Sequence, residues 1–76
     1  MNMSKLLLNR NKAKQFNREN EDKKILIDVF RGRVRFEGFG VFSSARLIVS
    51  DGIAQLHEVT VEEMKPLIAL GIVDQI

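Results

Sequence analysis

The sequence predicts an α+β fold: a small antiparallel β-sheet or partly open barrel, one C-terminal helix and an extended N-terminal arm. Three observations carry this. Residues 24–56 read as β-structure with a period of two, as where Val34 and Phe36 oppose Arg33, Arg35 and Glu37. Thr60 stands three residues before Glu63 at the head of an apolar stretch, the spacing of a helix capping box. Finally, all five charged residues in the first eighteen positions are basic: Lys5, Arg10, Lys12, Lys14 and Arg18.

Residues 1–23 form the arm. Asn at positions 2, 9, 11, 17 and 20 competes for backbone hydrogen bonds and weakens a helix. After Leu8 the only apolar side chains up to position 23 are Ala13 and Phe16, a poor match to a period of 3.6. Through position 24 the chain has seven Lys or Arg against three acids, a balance of +4. The remaining residues have five against seven, a balance of −2, so the net charge of +2 hides a basic segment joined to a mildly acidic body. A polar cationic segment builds no core, which points to contact with something else. Leu6, Leu7, Leu8 and Phe16 are its apolar anchors; Arg10, Lys12, Lys14 and Arg18 are its cations.

Residues 24–76 form the folded domain. Ile25, Ile27 and Val29 oppose Leu26, Asp28 and Phe30 in a first strand. Gly32 then permits a bulge, bend or turn. Val34 and Phe36 oppose Arg33, Arg35 and Glu37 in the next strand, and Gly38 and Gly40 flank Phe39 in a tight turn or kinked loop. Ala45, Leu47 and Val49 follow against Arg46 and Ile48. Ser50-Asp51-Gly52 is a hairpin turn, because Asp tolerates and Gly favours positive φ. Ile53, Gln55 and His57 return against Ala54, Leu56 and Glu58. A helix over about 61–70 completes the chain. Val59 and Met64 fit the hydrophobic staple, Pro66 kinks or restarts the helix, and Gly71 with Ile72 ends it in a Schellman turn.

Size constrains the partners. With an unpacked arm, about fifty residues remain for the core, near the lower limit for independent stability. There is no Cys, hence no disulfide or thiolate metal site, and one His gives no imidazole cluster. Burial against another chain is the remaining support. No apolar run reaches the ~20 residues of a membrane span, and the Lys5-Leu6-Leu7-Leu8 start is too short for a signal-peptide core.

Arg31, Arg33 and Arg35 make the sharpest local pattern. At period two they project from one strand face about 6.5–7 Å apart. With Phe36, Phe39 and Phe42 nearby they suit phosphates and stacked bases. The same arginines also serve as a solvated face whose stems cover apolar neighbours, with Phe36 and Phe42 as core. His57 and Glu58, adjacent on a strand, point to opposite faces and form no acid–base pair. No nucleophile is placed by a motif, so no catalytic residue, metal site or cofactor is expected.

Over residues 49–73, about a third of the chain, Val49-Ser-Asp-Gly52, then Val59-Thr-Val-Glu-Glu63, then Leu67-Ile-Ala-Leu-Gly71-Ile-Val73 resembles small accessory structural proteins of tailed bacteriophages, including Mu-like head-region proteins. The resemblance implies a minor virion component of capsid, neck or tail, present in many copies, made in the host cytoplasm and carried into the virion. The expectation is thus a non-enzymatic assembly protein whose arm docks on neighbouring protein subunits. The alternatives are a nucleic-acid-binding module using the arm with Arg31, Arg33 and Arg35, or a small inhibitor or adaptor of a host protein. No membrane partner is expected.

Overall fold

A computed structural model describes residues 5–38 and 41–76. Within them the chain runs β1 (Leu6–Leu8), α1 (Arg10–Glu19), β2 (Leu26–Phe30), β3 (Arg33–Gly38), β4 (Val41–Ser50), β5 (Ile53–His57), α2 (Val61–Ala69) and β6 (Val73–Gln75). The strands form one antiparallel sheet in the order β2-β3-β4-β5-β1-β6. β2 and β6 are its edges, so the sheet does not close into a barrel.

Two hairpins set the register. Arg31 and Gly32 have φ of 52° and 74°, and Asp51 and Gly52 have φ of 52° and 77°. Positive φ at both central residues marks a type I′ turn, whose twist matches that of the flanking strands. Phe30 therefore pairs with Arg33, and Ser50 with Ile53. The tight turn expected around Phe39 involves residues 39 and 40, which lie outside the described residues. On either side of them Gly38 pairs with Val41.

Antiparallel partners share a face. Ile27, Val34, Phe36, Ala45, Leu47, Leu56, Leu6, Leu8 and Val73 therefore lie on one side, with Val29 exposed at its margin, and the helices add Ala13, Phe16, Met64 and Leu67 to the same apolar cluster. Phe36, Met64, Leu67 and Ile72 are fully buried.

The extended arm expected over residues 1–23 is corrected here for residues 5–19. β1 sits between β5 and β6, pairing Leu6 with both Leu56 and Gln75, and Leu8 with Val73. Leu6 and Leu8 are only 4% and 7% exposed. Residues 10–19 form a helix despite their composition. Asn9 caps it, its side-chain oxygen accepting from the Lys12 N–H at 3.1 Å, and Ala13 is buried while Phe16 packs on the core. A helix this short and polar is marginal alone, so tertiary packing supplies its stability. Residues 1–4 of the expected arm lie outside the described residues.

Asn17 ties α1 to β2. Its amide NH2 donates to the Ile25 carbonyl at 2.9 Å, and its carbonyl oxygen accepts from the Ile25 N–H at 2.8 Å. One carboxamide thus occupies both backbone groups of a residue that is 1% exposed. Asn17→Ala leaves that donor and acceptor unpaired, at about 1–3 kcal/mol for such a group. We expect a loss of ~2 kcal/mol, read from the midpoint of urea unfolding, with Asn17→Asp intermediate because it keeps the acceptor alone.

α2 follows the sequence expectation closely. Thr60 accepts from the Glu63 N–H at 3.1 Å, and Glu63 accepts from the Thr60 N–H at 3.2 Å, completing the capping box. At the other end the Gly71 N–H donates to Ile68 and the Ile72 N–H to Leu67, both at 3.0 Å, the two bonds of a Schellman ending. The helix continues through Pro66 without a break. No helix among the described residues is long and apolar enough to cross a membrane.

Candidate binding surface on the open sheet face

Both helices lie on one side of the sheet, so the other is bare. Its side chains follow from the register. Leu26, Glu37 and Phe42 form one cross-strand row; Asp28, Arg35 and Ser44 the next; Phe30, Arg33, Arg46 and His57 the third. Arg35 therefore lies on the diagonal between Phe30 and Phe42. Those two rings are 68% and 73% exposed. Beyond the third row, Ile48, Gln55, Leu7 and Asp74 align, with Ile53 and Ile76 nearby. Lys5, Leu7, Ile48, Ile53, Gln55 and Ile76 help line a shallow trough at this end.

The arginines are held from the side. Glu58 accepts from Arg33 at 3.5 Å and lies 3.9 Å from Arg46, both ion pairs at half-exposed side chains. Such pairs contribute only ~0–1 kcal/mol, so their role is to place the guanidinium groups. Arg33 also donates to the Ser44 hydroxyl at 3.5 Å. The Arg31 guanidinium carbon stands 5.2 Å from the centre of the Phe30 ring, a cation–π distance.

Strain gathers at this corner. Among the described residues three non-glycines have positive φ: Arg31, Asp51 and Glu58, the last at 60°. Asp is at ease there; Arg and Glu are not, at roughly 1–2 kcal/mol relative to the ordinary helical well. Both misfits border the arginine row. Strained residues of this kind persist where the surrounding structure holds them, and they cluster at binding sites. Arg31→Asn should therefore stabilise the fold by ~0.5 kcal/mol after loss of the exposed cation–π contact. A rise of a few degrees in Tm is the check.

Of the residues expected to bind through an arm, the structure brings none together as an arm. Leu6 and Leu8 are in the core and Phe16 packs on it, while Leu7 alone turns to the open face. Arg10, Lys12, Lys14 and Arg18 are exposed on α1. Arg33 and Arg35 do share a face as their spacing implies, but Arg31 belongs to the turn and not to the strand. Arg46, the third arginine of the face, was missed, because its position beside Arg33 depends on the β3–β4 register. Phe42, read as core, is on the outer face since Val41 takes the inward position.

Comparison of the chain with protein-family models, with curated proteins and with solved structures finds no match in any of the three.

Proposed function

We propose that this chain is a non-enzymatic interaction protein that docks on a protein subunit of a larger assembly through the open face of its sheet. The observation that supports the reading is the display of Leu26, Phe30, Phe42, Ile48, Ile53 and Ile76 as exposed large hydrophobic residues on that face. The set falls in two clusters, Leu26, Phe30 and Phe42 at one end and Ile48, Ile53 and Ile76 at the other, with Arg33, Arg35 and Arg46 between them, and so much apolar surface is costly to leave in water. Phe30 and Phe42 would be the anchors, and Arg33, Arg35 and Arg46 the groups that select acidic side chains on the partner. A minor structural component of a phage particle is the most specific form of this reading, and the sequence resemblance over residues 49–73 is its only support.

A second reading takes the same face as a nucleic-acid platform, with Phe30 and Phe42 stacking bases and the three arginines meeting phosphate. The diagonal Phe30–Arg35–Phe42 favours it; Asp28, Glu37 and Glu58 on or beside the face oppose it.

Photo-crosslinking separates the two. A photoreactive side chain at position 42 or 53 should capture one and the same protein in producing cells, and a probe at Glu62 on α2 should not. Capture of nucleic acid at 42 would establish the second reading. Equal capture at 42, 53 and 62, or none, would end both.

A further inference from the structure

The edge of the sheet at β2 is a second place for a partner, adjoining the open face at Leu26 and Phe30. In a two-residue type I′ hairpin the closing pair, Phe30 and Arg33, exchanges hydrogen bonds. Alternation along the ladder then turns the N–H and C=O of Val29, Ile27 and Ile25 outward, away from β3. Two independent contacts agree with this phase. The Leu47 N–H donates to the Gly32 carbonyl at 2.7 Å, as it must if Arg33 spends its own groups on β2. Ile25 is also the residue whose two backbone groups Asn17 engages.

Asn17 thus occupies the place of a neighbouring strand at Ile25 and stops there. Ile27 and Val29 keep outward backbone groups without a partner among the described residues. Their edge carries apolar side chains exposed on both faces, Leu26 and Phe30 on one and Val29 on the other. Past Ile25 the strand carries no proline and pairs with β3 without a bulge, so Asp28 is the one feature there that blunts it. β6, the opposite edge, has three residues and is blunted by its length.

A groove of about 240 Å³ runs between this edge and α1, lined by Arg10, Ala13, Lys14 and Asn17 from the helix and by residues 25–27 from the strand. Its lining holds two cations and no acid. Arg10 and Lys14 are one helical turn apart, about 6 Å. Alternate residues of an extended strand are about 6.8 Å apart. We propose that the β2 edge takes an extended acidic segment of a partner chain as a seventh strand, with carboxylates at alternate positions meeting Arg10 and Lys14. The residues between them lie beside Leu26 and Phe30. Main-chain bonds to Ile27 and Val29 supply affinity, and the acid-x-acid spacing supplies selection.

The charge of the groove argues against a second copy as its occupant. The two free edges such a copy could offer, β2 and β6, carry one acid each, Asp28 and Asp74, both on the open face and neither in an alternating pair.

Fluorescence anisotropy of a short fluorescein-labelled peptide alternating Glu with Val, titrated with the full chain, tests this. Saturable binding is expected, absent for the peptide with Lys in place of Glu. It should weaken at least tenfold in Arg10→Glu/Lys14→Glu and in Val29→Pro, which deletes an outward N–H at a half-exposed edge position. Lys65→Glu, a single charge reversal on α2, should leave it unchanged. N-methylation of the peptide on its edge-facing residues should abolish binding without touching the protein, which keeps the test decisive if Val29→Pro does not fold. No saturable binding, undiminished binding of the N-methylated peptide, or a concentration-dependent dimer occupying this edge overturns the proposal. None of these outcomes involves positions 42 or 53, so the open-face reading stands or falls separately.

Discussion

A chain lacking residues 1–20 will not fold. It loses β1 from between β5 and β6, leaving β6 without any neighbour in the sheet. It also loses Leu6, Leu8 and Ala13 from the core, and Phe16 from its rim. Burying a leucine is worth roughly 1.5–3 kcal/mol, so the two leucines with Ala13 and part of Phe16 contribute about 6 kcal/mol. The whole stability of a 76-residue domain, at roughly 0.05–0.15 kcal/mol per residue, is about 4–11 kcal/mol. The deleted segment matches most of that margin before the Asn17 bonds to Ile25 are counted. Thermal unfolding followed by far-UV circular dichroism should show a cooperative transition for the full chain and none for residues 21–76. A cooperative transition in the truncated chain would mean that β5 and β6 pair directly and that β1 is dispensable. The result bears on function as well. If the segment is part of the sheet, loss of partner binding on truncation reports unfolding and says nothing about contact.

The parts of the fold legible in the sequence are those where local pattern and tertiary environment agree. β3 shows it best, its buried Val34 and Phe36 alternating with exposed Arg33, Arg35 and Glu37 because one face meets the core and the other does not. α2 announces itself at both ends through Thr60, Glu63 and Gly71. β1 is three leucines in a row, and three residues are too few to show a period. α1 has a low apolar content, and its place is fixed by neighbours distant in sequence. On one side Ala13 and Asn17 line the groove beside β2, and on the other Lys12, Gln15 and Phe16 lie beside Leu70. Its Asn residues, read as helix breakers, are in part its fasteners: Asn9 caps the helix, Asn17 holds Ile25, and the Asn20 amide donates to the Phe16 carbonyl at 3.0 Å.

The candidate surface divides the same way. The spacing of Arg33 and Arg35 puts them on one face by strand geometry alone. Arg46, Phe30 and Phe42 join them only through pairing register, which no single segment encodes. Glu58 joins through a backbone conformation that its residue type disfavours. That the two unfavoured positive-φ residues, Arg31 and Glu58, both touch or flank this corner is a reason to seek its use in binding: neither choice is explained by stability.

Gly38→Ala should be the most damaging single methyl addition among the described glycines. Gly38 has φ of 131°, a region nearly closed to residues with a Cβ. The added carbon would stand 2.7 Å from the Lys24 carbonyl oxygen and 3.2 Å from the Ile25 Cα, both backbone atoms. A flexible side chain could yield, but this backbone is held by Asn17 at Ile25. Either the end of β3 or the start of β2 must move. We expect a loss of about 3–5 kcal/mol, combining ~1–3 kcal/mol of backbone strain with the overlap. The same geometry predicts coupling. In Asn17→Ala the Lys24–Ile25 segment is released from α1 and can retreat from the new methyl. The double variant should therefore be less destabilised than the sum of the two single changes, by roughly 1 kcal/mol. Urea unfolding of the four proteins closes the cycle. Strict additivity would show that the clamp and the close approach act on the chain independently, and that Ile25 is not the hinge between α1 and the sheet.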